Sequence, residues 1–240
     1  MDESIKLKLL AGLPFEVKDI CIIKPLTLKQ IITIGWEQYN LYLSNLIAEV
    51  SDYNITDLDL SQYTYWDILM SSMCYSGKEN QEMIIKAISI FLGKGIFFDK
   101  KTCLFYTDEG KQIDKNIFDE IRQILRWQNC VKENRQIEEK YADDRARQLA
   151  EKFKKYREKF KSKKDENAIT LKNMISGISA RHPSINLLNI WDLTLYQLYD
   201  QLSRLNLVDN YNFSFFLLPY SEDAGKNIKH WTTNIKEDDI

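Results

Sequence analysis

The chain has 240 residues, 44% of them apolar and 12% aromatic, which is enough to fill a sizeable core and argues against disorder of the whole chain. Its 33 basic and 35 acidic residues leave a formal charge of -2, so no global field recruits nucleic acid or anionic membrane, and an electrostatic partner must be read by a local patch. Eight glycines and four prolines supply few breakers, which favours long helices over a many-turned sheet.

The opening Met1-Asp2-Glu3-Ser4 is acidic and lacks the basic and apolar regions of a signal peptide, so synthesis and residence in the cytosol are expected. No apolar stretch, residues 213–219 included, approaches the roughly twenty residues that span a bilayer. After the turn-like Gly12-Leu13-Pro14, residues 15–23 are β-rich and partly alternating, which predicts a strand or extended arm stopping at Pro25.

Thr27-Leu28-Lys29-Gln30 has the spacing of a capping box, flanked by Leu26 and Ile31 as a hydrophobic staple. Ile32, Trp36, Tyr39, Leu43, Leu46 and Ile47 then recur at helical steps, predicting one helix that reaches about Val50. A polar connector over 52–62 precedes predicted helices at 65–73 and 79–92, the second ended by Gly93 and Gly95. Residues 96–98 and 103–106 are short β-prone runs around a polar turn, so a small β-hairpin is expected; being marginal alone, it should lay its aromatic side on neighbouring helices or pair with another chain.

Asp114 can cap a helix carrying Ile117, Phe118, Ile121, Ile124, Leu125 and Gln128 toward Val131. Residues 133–164 contain no Gly or Pro and show only a narrow apolar stripe that includes Tyr141, Phe153 and Tyr156, the pattern of a long, exposed, charged helix. Residues 151–164 hold eight basic and two acidic side chains, a local +6 that leaves -8 for the rest of the chain. The following charged tract has the composition of a hinge, which divides the chain into an N-terminal helical domain (1–131), a charged helix or linker (132–167) and a C-terminal helical domain (168–240).

Thr170 can cap a helix with Leu171, Met174, Ile175 and Ile178 on one face, ending before Pro183. A further helix over about 188–205 would place Trp191, Leu195, Leu198, Leu202 and Leu205 on one seam. Residues 211–218 are aromatic and β-like or a buried loop, and 227–235 would add a last short helix; no internal repeat is discerned.

Catalytic chemistry finds no anchor in this pattern. Cys21, Cys74, Cys103 and Cys130 are widely spaced without a C-x-x-C pair and sit among apolar neighbours, as buried structural thiols do. His182 and His230 have no metal-ligand companions, and no phosphate-binding or nucleophile motif occurs. Adjacent acids such as Glu138-Glu139 and Asp143-Asp144 point in different directions on a helix and are expected on a solvated face. No catalytic residue, metal ligand or cofactor is therefore assigned, and an enzyme is not expected.

Binding is the remaining class. Trp36, Tyr39, Tyr141, Phe153, Tyr156, Trp191, Leu195, Leu198 and Leu202 are candidate partner-binding residues, although the same seams serve equally as core. Lys152, Lys154, Lys155, Arg157, Lys159, Lys161, Lys163 and Lys164, interleaved with aromatics, could meet an acidic protein or a nucleic-acid backbone.

Three stretches occur together and in order: Ile23-Lys24-Pro25-Leu26-Thr27-Leu28-Lys29-Gln30-Ile31 leading to Gly35 and Tyr39; Arg122-Gln123-Ile124-Leu125-Arg126-Trp127-Gln128; and the run from Ser184 through Trp191 to Leu202. With the charged central segment and Lys229-His230-Trp231, they resemble tail-morphogenesis proteins of tailed bacteriophages of low-GC hosts. The resemblance implies a tail assembly chaperone or a baseplate or hub component, contacting tail tube, tape-measure or baseplate proteins or a second copy of itself, in the host cytoplasm or retained in the virion tail. The alternative is a nucleic-acid-binding or host-directed regulatory protein using residues 152–164; no membrane partner is expected.

Overall fold

Asp2 accepts a hydrogen bond from the Glu3 amide at 2.8 Å and opens α1, Glu3–Leu10, an element with too little apolar periodicity to be read from sequence. The helix ends on Gly12, whose φ of 66° lets the Leu13 amide reach back to the Lys8 carbonyl at 2.9 Å. A computed structural model describes residues 1–52, 62–131, 170–219 and 230–235. Within them the protein is mainly α, with a two-stranded and a three-stranded antiparallel sheet.

The predicted N-terminal strand is two strands. β1 (Phe15–Val17) and β2 (Cys21–Ile23) pair antiparallel, because Lys18 and Asp19 both adopt positive φ (41° and 57°) and reverse the chain. Each strand buries its first and third residue.

The helix expected from Thr27 to about Val50 is also two. Thr27 and Gln30 form the expected capping box, but α2 (Leu28–Ile34) stops at Gly35, whose φ of 96° and ψ of 128° are outside the helical region. From there α3 (Trp36–Ile47) leaves in a new direction and buries Tyr39, Tyr42, Leu43 and Leu46. A single helical residue with a side chain at position 35 would have kept Ile32 and Trp36 on one continuous face; Gly35 makes the redirection free of steric cost.

Next come α4 (Tyr65–Tyr75) and α5 (Lys78–Leu92), the latter closed by Gly93 in the left-handed region. β3 (Ile96–Asp99) and β4 (Leu104–Thr107) form the expected hairpin, and β5 (Gln112–Ile113) adds a third strand that sequence reading missed. Its aromatic side does pack inward: Phe105 lies 5.1 Å from Phe98 and stacks toward Phe118 at 6.4 Å, with Trp66 5.3 Å from Phe118. α6 (Lys115–Gln128) starts on Asp114, which accepts from the Ile117 amide at 2.9 Å.

The C-terminal part contributes α7 (Leu171–Arg181), capped by Thr170, and α8 (Leu195–Leu217). The helix expected to start near Leu188 starts seven residues later: Asn186 and Asn189 side chains tie a turn, Ile190–Asp192 forms one 3-10 turn, and only Thr194 caps α8. Residues 211–218, expected as strand or loop, continue α8 instead, because a helix already nucleated by a full capping box extends at little cost through aromatic residues of poor intrinsic propensity. The expected long charged helix lies outside the described residues; of the final short helix expected over 227–235, residues 230–235 form a turn instead.

One core unites these elements. Leu9, Ile23, Leu28, Leu46, Ile88, Phe118, Leu125, Ile178 and Leu198 all belong to one buried cluster, so residues either side of the undescribed 132–169 share an interior. The joint is specific. The first-turn amide of α2, on Leu28, donates to the Leu193 carbonyl at 2.8 Å, and Thr27 bridges antiparallel to Thr194. Both sides share the pattern Leu-Thr-Leu-x-Gln, in Leu26-Thr27-Leu28-Lys29-Gln30 and Leu193-Thr194-Leu195-Tyr196-Gln197, and the two capping boxes meet side by side. Gln197 additionally donates to the Leu10 carbonyl at 2.8 Å, tying in the end of α1.

Thr194→Ala removes the buried cap of α8 and is expected to lower stability by about 1 kcal/mol. A urea titration beside Thr27→Ala checks it, and an unchanged midpoint for Thr194→Ala would show that the joint does not depend on this cap.

Candidate interaction surface

Helix α8 emerges from the core as it proceeds. Leu195, Tyr196, Leu198 and Ser203 are buried, whereas the helix beyond about residue 206 exposes more of its side chains and carries one acid, Asp209, held by Arg181 of α7. Its last two turns present Phe213 (61% exposed), Phe215 (49%) and Phe216 (66%), with Leu218 beyond them. Single exposed apolar residues are ordinary; three phenylalanines within four positions at one helix end are a patch.

The turn at 230–235 folds back beside this helix. Arg204 donates from Nη1 to the carbonyls of Trp231 at 2.6 Å and Thr233 at 2.9 Å. Tyr211 then sits between Phe215 at 4.7 Å and His230 at 5.2 Å, and His230 lies 5.4 Å from a Trp231 that is itself exposed. The arrangement is an aromatic platform at the end of α8: Tyr211, Phe215, His230 and Trp231 adjoin one another, and Phe213 and Phe216, three positions apart, are exposed on another side of the same helix end. Such a surface buries apolar area against a protein partner, and rigid aromatic side chains do so at low entropic cost.

The candidates read from sequence fall elsewhere. Tyr39, Leu195 and Leu198 are buried in the chain's own core, the last at 0% exposure, so they offer no surface to a partner. The Tyr39 hydroxyl donates to Asn129 Oδ1, and burial pushes its ionisation well above the ordinary tyrosine range. Trp36 is half-buried and stacked on Tyr39 at 6.1 Å. Trp191 is half-buried too, held by its indole N–H to the Leu187 carbonyl at 2.9 Å in the 3-10 turn rather than on a helical seam, and Leu202 packs partly buried against the core. Tyr141, Phe153, Tyr156 and the basic residues Lys152, Lys154, Lys155, Arg157, Lys159, Lys161, Lys163 and Lys164 lie outside the described residues.

The aromatic run of the platform has the composition of a strand or buried loop, which hides the helix that carries it. A signal existed: Leu202, Leu205, Val208, Tyr211, Phe215 and Leu218 continue the helical step without interruption, and Pro219 stands where α8 stops.

Among the described residues no group of three or more His, Cys, Asp or Glu side chains is placed to hold a metal ion, and no helix is long and apolar enough to cross a membrane.

Comparison with known families places the platform in context. Residues 161–236 match the family model of the YomV second domain, a phage-associated domain family, and the match contains α7, α8 and the turn at 230–235. It covers less than half of the chain. No curated protein matches the chain, and no solved structure does.

Proposed function

We propose that this phage-associated protein is a non-enzymatic assembly factor of the phage tail or baseplate, acting through protein–protein contacts made by the aromatic end of α8. The observation that carries the contact is the uncovered Phe213, Phe215 and Phe216 on a helix whose earlier turns are locked into the core. A rigid helix presenting aromatics is a form of recognition surface that pays little ordering entropy on binding. The phage association of residues 161–236 supports the biological setting, and the tail in particular rests on the resemblance of residues 23–39, 122–128 and 184–202 to tail-morphogenesis proteins.

Co-expression with tail tube, tape-measure and baseplate proteins, followed by affinity capture, tests the reading. The wild-type chain is expected to retain one of them, and the double substitution Phe213→Ser, Phe216→Ser to lose it at least tenfold while keeping wild-type helix content by circular dichroism. Capture unaffected by the double substitution would move the contact away from α8. No capture at all, together with salt-sensitive DNA or RNA binding that depends on residues 152–164, would replace the reading by the nucleic-acid alternative.

A further inference from the structure

Two of the four cysteines are neighbours in space. Cys74 stands in the last turn of α4 and Cys103 closes the turn between β3 and β4, yet their sulfurs lie 3.5 Å apart across a separation of 29 residues. Both side chains are partly exposed, unlike Cys21, which is buried.

The turn is built so that Cys103 is aimed there. Asp99 ties it from its start, accepting from the Lys101 amide at 3.0 Å and the Thr102 hydroxyl at 2.9 Å. Cys103 then takes a φ of 51°, a left-handed conformation unusual for a side-chain-bearing residue, and the chain re-enters β4 at Leu104. A disulfide needs its sulfurs at about 2.05 Å, so the pair must close by about 1.5 Å. Burial pushes Cys21 up to about 11 and Cys130 up to about 12, and it raises Cys74 too, with the hydrogen bond to Cys103 adding to the shift.

We propose that Cys74 and Cys103 are a paired redox modification site, converted by a peroxide-class oxidant into an intramolecular disulfide that staples the β3–β4 turn to the end of α4. One thiol, as its thiolate, attacks a peroxide oxygen. The O–O bond breaks, a sulfenic acid forms on that sulfur, and the departing hydroxide takes the thiol's proton to leave as water. The second thiol attacks the sulfenic sulfur; the S–S bond forms, the S–O bond breaks, and the hydroxyl leaves as water with the second proton. Two electrons pass from the sulfur pair to one peroxide. The staple is independent of the partner proposed for α8, because no residue of the aromatic platform belongs to it.

Stoichiometric hydrogen peroxide, followed by alkylation and non-reducing peptide mapping, tests the proposal on the full chain. A Cys74–Cys103 cross-linked peptide is expected, reversed by dithiothreitol, with the buried Cys21 alkylated only after denaturation. Closing the intervening loop restricts the unfolded chain, so the oxidised protein should melt about 5–10 °C higher than the reduced one. Cys103→Ser should show neither the peptide nor the shift. Cys74 and Cys103 recovered unlinked or as sulfinic acids, or linked chiefly between two chains, would overturn it, and so would a cross-linked protein that melts at the reduced temperature.

Discussion

Leu198→Asp is expected to leave no folded protein at room temperature. Leu198 is 0% exposed on the buried face of α8, in the cluster that joins the two ends of the described chain. Removing its side-chain packing alone costs about 2–5 kcal/mol, and the carboxylate must in addition be stripped of water or protonated, a further several kcal/mol. Together these rival the whole stability of an ordinary domain, about 5–15 kcal/mol. Far-UV circular dichroism and sedimentation of purified protein check it, with Leu198→Ala as a milder companion that should fold and melt lower. A well-folded Leu198→Asp chain that had lost only a binding partner would return this seam to the surface.

Arg122→Ala is expected to cost about 2–5 kcal/mol, since two carbonyls lose their donor at about 1–3 kcal/mol each. Helix α3 ends against α6, which supplies donors for its last carbonyls. Arg122 donates from Nε to the Leu46 carbonyl at 3.0 Å and from Nη2 to the Ala48 carbonyl. Arg126, one turn on, donates to the Ile47 carbonyl at 2.8 Å and pairs with Glu49, while the Tyr65 hydroxyl takes the Asn45 carbonyl. Both guanidiniums bring positive charge to the negative end of the helix dipole, and Arg122 also lies 4.2 Å over the Tyr65 ring. Denaturant unfolding measures the loss. Arg122→Lys should recover only part of it, since an ammonium cannot span two carbonyls as the planar fork does; full recovery by lysine would reduce the role of Arg122 to charge alone.

That arginine clamp shows what a sequence reveals and what it withholds. Capping chemistry is local, so the starts at Thr27, Asp114 and Thr170 could be read directly, and so could the aromatic hairpin that packs on Phe118. Periodicity identified Tyr39, Leu195 and Leu198 as belonging to covered faces. It could not say whether the cover was this chain or another, because the step of an apolar stripe is the same in a core and in an interface. Nothing local marks Arg122 and Arg126 as interior; only the approach of α3 from far away in the chain makes them so. The break at Gly35 and the extension of α8 through Phe213 to Phe216 were misread for one reason: local propensity was weighed without the tertiary setting that redirects one helix and sustains the other.

The clasp at Thr27 and Thr194 has a consequence for how the protein comes into being. The Leu28 amide finds its acceptor on Leu193, so one first-turn donor of α2 has no partner but water when it leaves the ribosome; more than a hundred and sixty residues must be synthesised before its counterpart emerges. Until then Leu28 and Ile31, which end at 0% and 1% exposure, lack part of the shelter that the C-terminal helices bring. Translation that stops early, for instance within residues 132–169, would therefore release a nascent chain with an open apolar face, the kind of species that host chaperones retain and proteases remove.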